Sequence, residues 1–291
     1  MFHIVSGPFH PVLESSLVHE IQELKSANPF TSLALIVPSE MLRRRLQWLL
    51  CVEQGLALYD VHFLTFHQLA LRLYDERTQA VSAELPSPYR LVSDLTFQQL
   101  LREILGRGLL DLQPLSHFRE SFHLCAALWS TIRDLKEATI DASTAIQGID
   151  EGLFDVSVEG NLRILFSLHK KMHEEARNLQ IKDATDLAEM VIPWVPDSAF
   201  LGRLGRVYYY GFYDLSQVQL SLFEAVTQRA NVTVYSPLVD NSDFGFAKRF
   251  YDRHLSSGVV RRQVHSCALA SDESKPGVKP ANIKVMNAVG A

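Results

Sequence analysis

The chain has few cysteines: three in 291 residues, Cys51, Cys125 and Cys267, far apart and with no CxxC pair. Their odd number and wide spacing argue against a disulfide framework and fit buried thiols in a reducing compartment. No apolar run approaches the roughly 18–20 residues a membrane span needs. The start, Met1-Phe2-His3-Ile4-Val5-Ser6, lacks the charged segment and long apolar run of a secretory signal. The expectation is a cytoplasmic protein without a membrane partner. Positive charge is not in excess either, with 28 Lys and Arg against 33 Asp and Glu, a net charge of −5. That excludes coating of nucleic acid by bulk charge and leaves room for a local basic track. No Gly-Lys dipeptide, GxSxG elbow, internal repeat or low-complexity tract occurs.

Apolar residues are plentiful. Hydrophobic residues make up 47% and charged residues 21%, enough to build a core and too apolar for general disorder. The length allows one large domain or two ordinary ones.

Along the chain, short apolar runs alternate with helical periodicity. Phe2–Ser6 reads as a strand ended by Gly7-Pro8, and Leu13, Leu17, Ile21 and Leu24 share a helix face up to Lys25. Leu33–Val37 is a continuous apolar run, as in a buried parallel strand. Ser39 is placed to cap a helix reaching Glu53. Val61–Leu64 reads as a third strand and Thr65 as the start of a helix to Arg77. This order predicts a parallel α/β sheet flanked by helices. After a polar loop, Ser82–Pro88, the chain from Ser93 to Gln180 reads as helices, with amphipathic stretches at Arg119–Ala138 and Asn161–Leu179. Strands return at Val207–Tyr210 and Val232–Tyr235, separated by a helix over Gln217–Arg229. Ser266–Pro280 reads as a linker, and Ile283–Met286 as a strand. The expected division is a discontinuous α/β domain (1–80 and 186–265), a helical insertion (81–185), and a linker with the first strand of a following domain (266–291). A strand so near Ala291 suggests a chain cut from a longer protein.

Two turns invite comparison with nucleotide chemistry. A phosphate-binding loop belongs between a first strand and its helix, as GxxxxGK[ST]. Here Gly7 is present, while Val12, Leu13 and Glu14 stand in place of Gly, Lys and Ser or Thr. Pro8 and Pro11 remove two amide donors. The later segment Val207-Tyr-Tyr-Tyr-Gly-Phe-Tyr-Asp-Leu-Ser-Gln-Val-Gln219 has the layout of the Mg²⁺-binding strand of UvrD-like helicases. Tyr210 and Gly211 replace its Asp-Glu pair, whereas Phe212, Asp214 and Gln219 match. Both halves of the ATP chemistry are lost together. Val61–Ala70 with its Thr65-Phe66-His67 core, and Leu35–Ser39 with Arg43, Arg44 and Arg45 beyond, resemble the DNA-contacting motifs of the same helicases. Hydroxyls at helix starts contact phosphates, and Phe66 or His67 can stack on a base. The competing readings are a core Phe66 and a solvated arginine face.

Other constellations are weaker. His169 and His173 lie four apart on a helix with no third ligand, and read as a solvated face. Asp75-Glu76 reads as a helix end. Trp129 and Trp194 read as core or interface, and Tyr208, Tyr209 and Tyr210 as packing on both faces of a central strand.

In order and spacing the chain resembles the N-terminal helicase-like region of AddB/RexB-type proteins, helicase–nuclease subunits of bacterial double-strand-break repair and recombination. Ile132-Arg-Asp-Leu-Lys-Glu-Ala138 and Asp183-Ala-Thr-Asp-Leu-Ala188 add to the likeness. The resemblance implies a P-loop-NTPase-like sheet, and the departures from its motifs at Val12, Leu13, Glu14, Tyr210 and Gly211, around the retained Gly7, imply no ATP or Mg²⁺ cofactor. It implies DNA contacts, to single strands or duplex ends, at Ser39, Arg43, Arg44, Thr65, Phe66 and His67. It also implies an AddA/RexA-like motor subunit as partner, and a nuclease beyond Ala291 in the full-length protein. The alternative class is a structural scaffold that only docks a partner subunit. An active ATPase or helicase would need a nucleotide site without a P-loop lysine.

Overall fold

The computed structural model describes residues 2–80, 89–107, 121–238, 245–255 and 264–266. Its strands are β1 (Phe2–Gly7), β2 (Leu33–Val37), β3 (Val61–Thr65), β4 (Arg90–Leu91), β5 (Ile181–Lys182), β6 (Arg206–Tyr210), β7 (Val232–Pro237) and β8 (Val264–Ser266). Six form one sheet in the order β3-β2-β6-β7-β1-β8, and every pairing in it is parallel. The expected strands at Phe2, Leu33, Val61, Val207 and Val232 all form. The expected strand at Ile283–Met286, the Ser82–Pro88 loop and the linker beyond Ser266 lie outside the described residues.

The sheet is an α/β sheet covered on both faces. Because side chains alternate along a strand, each run feeds two cores. Ala34, Ile36, Val207 and Tyr209 face one core with Phe66 and Leu69 of α3 (Phe66–Ala80), Leu187 and Val191 of α8 (Ala184–Val191), and Phe223 of α10 (Gln217–Arg229). Leu33, Leu35, Val37, Tyr208 and Tyr210 face the other with Leu17 and Ile21 of α1 (Glu14–Ala27) and Leu46 of α2 (Glu40–Trp48). The three tyrosines of β6 thus pack on both faces, as the alternation predicts. Glu76, near the end of α3, accepts hydrogen bonds from Ser198 Oγ (2.6 Å) and the Phe200 amide (2.8 Å). It fastens α3 to the start of α9 (Ala199–Arg203), a role beyond that of a plain helix end.

Between α3 and α8 the chain builds α4 (Asp94–Gly106), α5 (Phe122–Glu137), α6 (Ala142–Asp150) and α7 (Val156–Asn178). Phe97, Leu101, Trp129, Ile132, Leu168 and Met172 form a separate core there, with Phe97 stacked on Trp129 at 4.5 Å. The short parallel pair β4–β5 flanks this segment. The two segments that carried the likeness at residues 132–138 and 183–188 meet. Lys136 Nζ lies 2.5 Å from Asp183 and 2.7 Å from Asp186, the two residues of the capping box that opens α8.

One expectation is corrected. His169 is buried, at 8% exposure, not part of a solvated face, whereas His173 one turn on is exposed. The α7 ridge at 169 turns inward between Lys136 and Met172, so periodicity alone misplaced it. Among the described residues no three His, Cys, Asp or Glu are grouped to hold a metal. Burial, then the Lys136 charge and His173, hold the His169 pKa below the ordinary imidazole value. The unfolded chain therefore binds a proton there more readily, and folding stability rises with pH across that window. Stability is expected to fall as pH drops below roughly 6.5. His169→Gln should flatten this part of the profile, measured by urea unfolding between about pH 5 and 7.5.

Candidate functional site at the carboxyl ends of the strands

In open parallel sheets, ligands bind outside the carboxyl ends of the strands. All the turns singled out by sequence reach that edge: Gly7 ending β1, Ser39 after β2, Thr65 ending β3, and Gly211 after β6. The edge has a filled half and an open half.

The filled half lies where β1 and β6 end, two strands apart with β7 between them. After Gly7 the chain bends through Phe9–Leu13, with His10 in extended backbone, before α1. A Cβ at Gly7 would stand 3.0 Å from a Val12 methyl, so Val12 occupies the near side of the turn. Leu13, in the place of a phosphate-binding lysine, is fully buried among Leu17, Leu35 and Tyr210. Glu14 is held by His10 Nδ1 (2.9 Å) and Arg45 (3.3 Å). Tyr210 packs its ring 5.7 Å from Phe9 and 5.7 Å from Tyr235, and Phe9 also meets Tyr213. Burial and the Glu14 carboxylate push the Tyr210 hydroxyl above its ordinary pKa, so it stays neutral. Gly211 has φ +83°, and a Cβ there would meet Leu42 at 2.7 Å and Phe9 at 3.1 Å. Apolar side chains and an internal ion pair fill the space, and these residues do not fit a triphosphate with Mg²⁺.

The open half is a cleft of about 320 Å³ lined by Ser39, Glu40, Thr65, Phe66, His67, Phe212, Asp214 and Gln219. It joins the residues of both sequence motifs, which are distant along the chain. Each hydroxyl caps a helix: Ser39 Oγ accepts from the Leu42 amide (3.2 Å) and Thr65 Oγ1 from the Gln68 amide (3.3 Å). Each keeps its own O–H to donate. Gln219 completes a capping box with Ser216, and Asp214 accepts from the Leu215 amide (2.8 Å). The match of these two positions to a helicase pattern therefore has a local reason, the start of α10.

Two expected contacts are corrected. Phe66 is 8% exposed, packed edge-on against Phe212 at 5.1 Å, and offers no ring face for a base. Its hydrophobic position opening α3 turns it under the sheet; His67 beside it is exposed. Arg43 and Arg44 are not free cations, since Glu40 takes both, Arg43 Nε at 2.7 Å and Arg44 Nε at 3.2 Å. The Arg43 hydrogen bond above all, with help from Arg44, holds the Glu40 carboxyl down to about 2, so the pairing persists at neutral pH.

Arg249 and Arg253, which the sequence reading did not single out, line a hollow that shares Asp214 with the cleft. Lys248 and Arg249 of α11 (Gly245–Phe250), and Arg253 in the following turn, Tyr251–Leu255, are exposed. Their signal is the string Lys248-Arg249-Phe250-Tyr251-Asp252-Arg253-His254, with the arginines four apart. Among the described residues no helix is long and apolar enough to cross a membrane. Comparison with protein-family models and with curated proteins finds no match.

Proposed function

We propose that this chain is a non-hydrolysing helicase-like module that holds or scans single-stranded DNA beside an active motor subunit. The reading draws on the resemblance, in order and spacing of motifs, to the N-terminal helicase-like region of AddB/RexB-type proteins. One observation carries the reading. The nucleotide-like half of the strand edge is filled by Phe9, Val12, Leu13 and Leu42, while the adjoining cleft keeps Ser39, Thr65 and His67 at its surface. Hydroxyls and amides at helix starts suit phosphate, and an exposed imidazole suits stacking or a backbone contact. The chain supplies no ATP chemistry in this reading; the motor and the nuclease belong to its partner and to the longer protein.

The test is fluorescence anisotropy of a labelled strand of about 20 nucleotides, titrated at low and moderate salt. Binding should weaken steeply as salt rises, because counterions are released on contact. His67→Glu should weaken it, and Glu40→Gln should tighten it several-fold by releasing Arg43 and Arg44. Thr65→Ala is a poorer probe, since losing the cap also costs about 1 kcal/mol of stability. No binding at low salt overturns the reading.

A scaffold role has its own observation. Met41 and Trp48 on α2, with Val52 just beyond, are exposed apolar side chains on one segment. Docking of a motor subunit there would be unaffected by charge reversal at Arg43 and Arg44 and lost on Trp48→Asp.

A further inference from the structure

We propose that Arg249, Arg253 and His254 form the second wall of the same groove and take the phosphate backbone of the single strand. The inference rests on the reading above and extends it to an element that no motif marked.

Arg249, Arg253 and His254 line a hollow of about 510 Å³ together with Phe250 and Asp214. Asp214 also lines the Ser39–Thr65–His67 cleft. The two hollows therefore meet at the turn after β6, and together they run across the carboxyl edge from the start of α3 to α11. The wall is held in place, because Phe250, next to Arg249, and Leu255, next to His254, are buried in the core of the sheet. Cations carried on a packed segment lose less conformational entropy on binding than cations on a free tail. Arg249 and Arg253, four residues apart, lie on neighbouring turns of one face. Their guanidinium forks match phosphate oxygens. In an acidic chain, the seven positions Lys248 to His254 carry Lys248, Arg249 and Arg253 against Asp252, a local net positive charge.

The lining also tells which part of the strand is read. Phe250, which lines the basic hollow, is buried and offers no ring face to a base. Contacts there position the backbone and carry no sequence preference. Asp214 sits where the two hollows join, exposed, its carboxylate bonded to the neighbouring amide of Leu215. It opposes a phosphate passing over it, so removing its charge should strengthen binding.

The experiment uses the whole chain and a fluorescent 20-nucleotide oligothymidylate, with anisotropy read over a range of salt. Arg249→Glu with Arg253→Glu should weaken binding by at least about tenfold and reduce the salt slope by about 1.4, or 0.7 for each lost contact. Asp214→Asn should tighten binding. Arg107→Glu, a charge reversal at the far end of α4, should change little. If the parent chain binds and His67→Glu weakens it while the double arginine variant binds as before, the second wall is wrong and the proposed function stands. If Arg107→Glu loses as much as the double variant, bulk charge alone explains the effect and the wall is again wrong. If polyglutamate displaces the oligonucleotide as well as unlabelled oligothymidylate does, the wall belongs to an acidic protein partner instead. If the parent chain binds no oligonucleotide at low salt, both readings fall. The altered side chains are exposed, so unchanged circular dichroism and melting confirm that the variants are folded.

Discussion

Lys136→Met should lower the unfolding free energy by about 3–5 kcal/mol, the cost of leaving buried charge without its counter-ion. Lys136 reaches from α5 to Asp183 and Asp186, which lie at 4% and 13% side-chain exposure. Both carboxylates serve the capping box of α8, so they remain in place when the ammonium is removed. Methionine keeps an unbranched stem beside the rings of Phe97 and Trp129, over which the Lys136 ammonium sits at 5.4 and 5.6 Å. The substitution therefore isolates charge from volume. Denaturant unfolding with an unchanged slope would report a pure stability loss. A loss below about 1 kcal/mol would mean that the pair behaves like a surface ion pair. The triple variant Lys136→Met with Asp183→Asn and Asp186→Asn should recover part of the loss, since no buried charge is then unpaired.

Gly211→Glu, which puts back a carboxylate that the helicase pattern carries, should destabilise the fold by about 2–5 kcal/mol and create no ATPase. The position has φ +83°, where a side chain costs roughly 1–3 kcal/mol. A Cβ would also come within 2.7 Å of Leu42 and 3.1 Å of Phe9, and overpacking adds about 1–3 kcal/mol. The space is closed because Phe9, Leu42 and Tyr210 pack into it, and that packing is part of the second core. Thermal melting and phosphate release measure the two expectations separately. A stable variant, or one that turns over ATP, would show that the edge is still open to nucleotide.

The parallel sheet was legible in the sequence because its strands are short apolar runs that no other element suits. Leu33–Val37 is buried at every residue, and such a run reads the same from either side. Helix starts were legible where a capping residue stands in view, as at Ser39 and Ser216. The missing P-loop lysine and the missing Asp-Glu pair were legible as absences of named residue types. What fills their place was not: Phe9, Leu42 and Tyr210 come from three segments, and only their packing shows that the space is closed.

Charge state was the least legible. Arg43 and Arg44 read as DNA contacts although Glu40, three and four positions earlier, stands at the helical spacing of an ion pair, and in the structure it holds both. His169 read as solvated because a helix period gives a face and leaves open what covers it. Lys136 and Asp183 are 47 positions apart, and their pairing exists only once α5 packs against α8. By itself the sequence determined the fold class, five of the six strands of the main sheet and the loss of ATP-binding residue types, since local hydrophobic pattern and side-chain chemistry decide these; the short β8, Val264–Ser266, carries no such run. The tertiary structure decided which residues share the strand edge, which side of it is filled, and which charges pair with one another. Those depend on distances between segments far apart in the chain, fixed only when the sheet and its helices close on their cores.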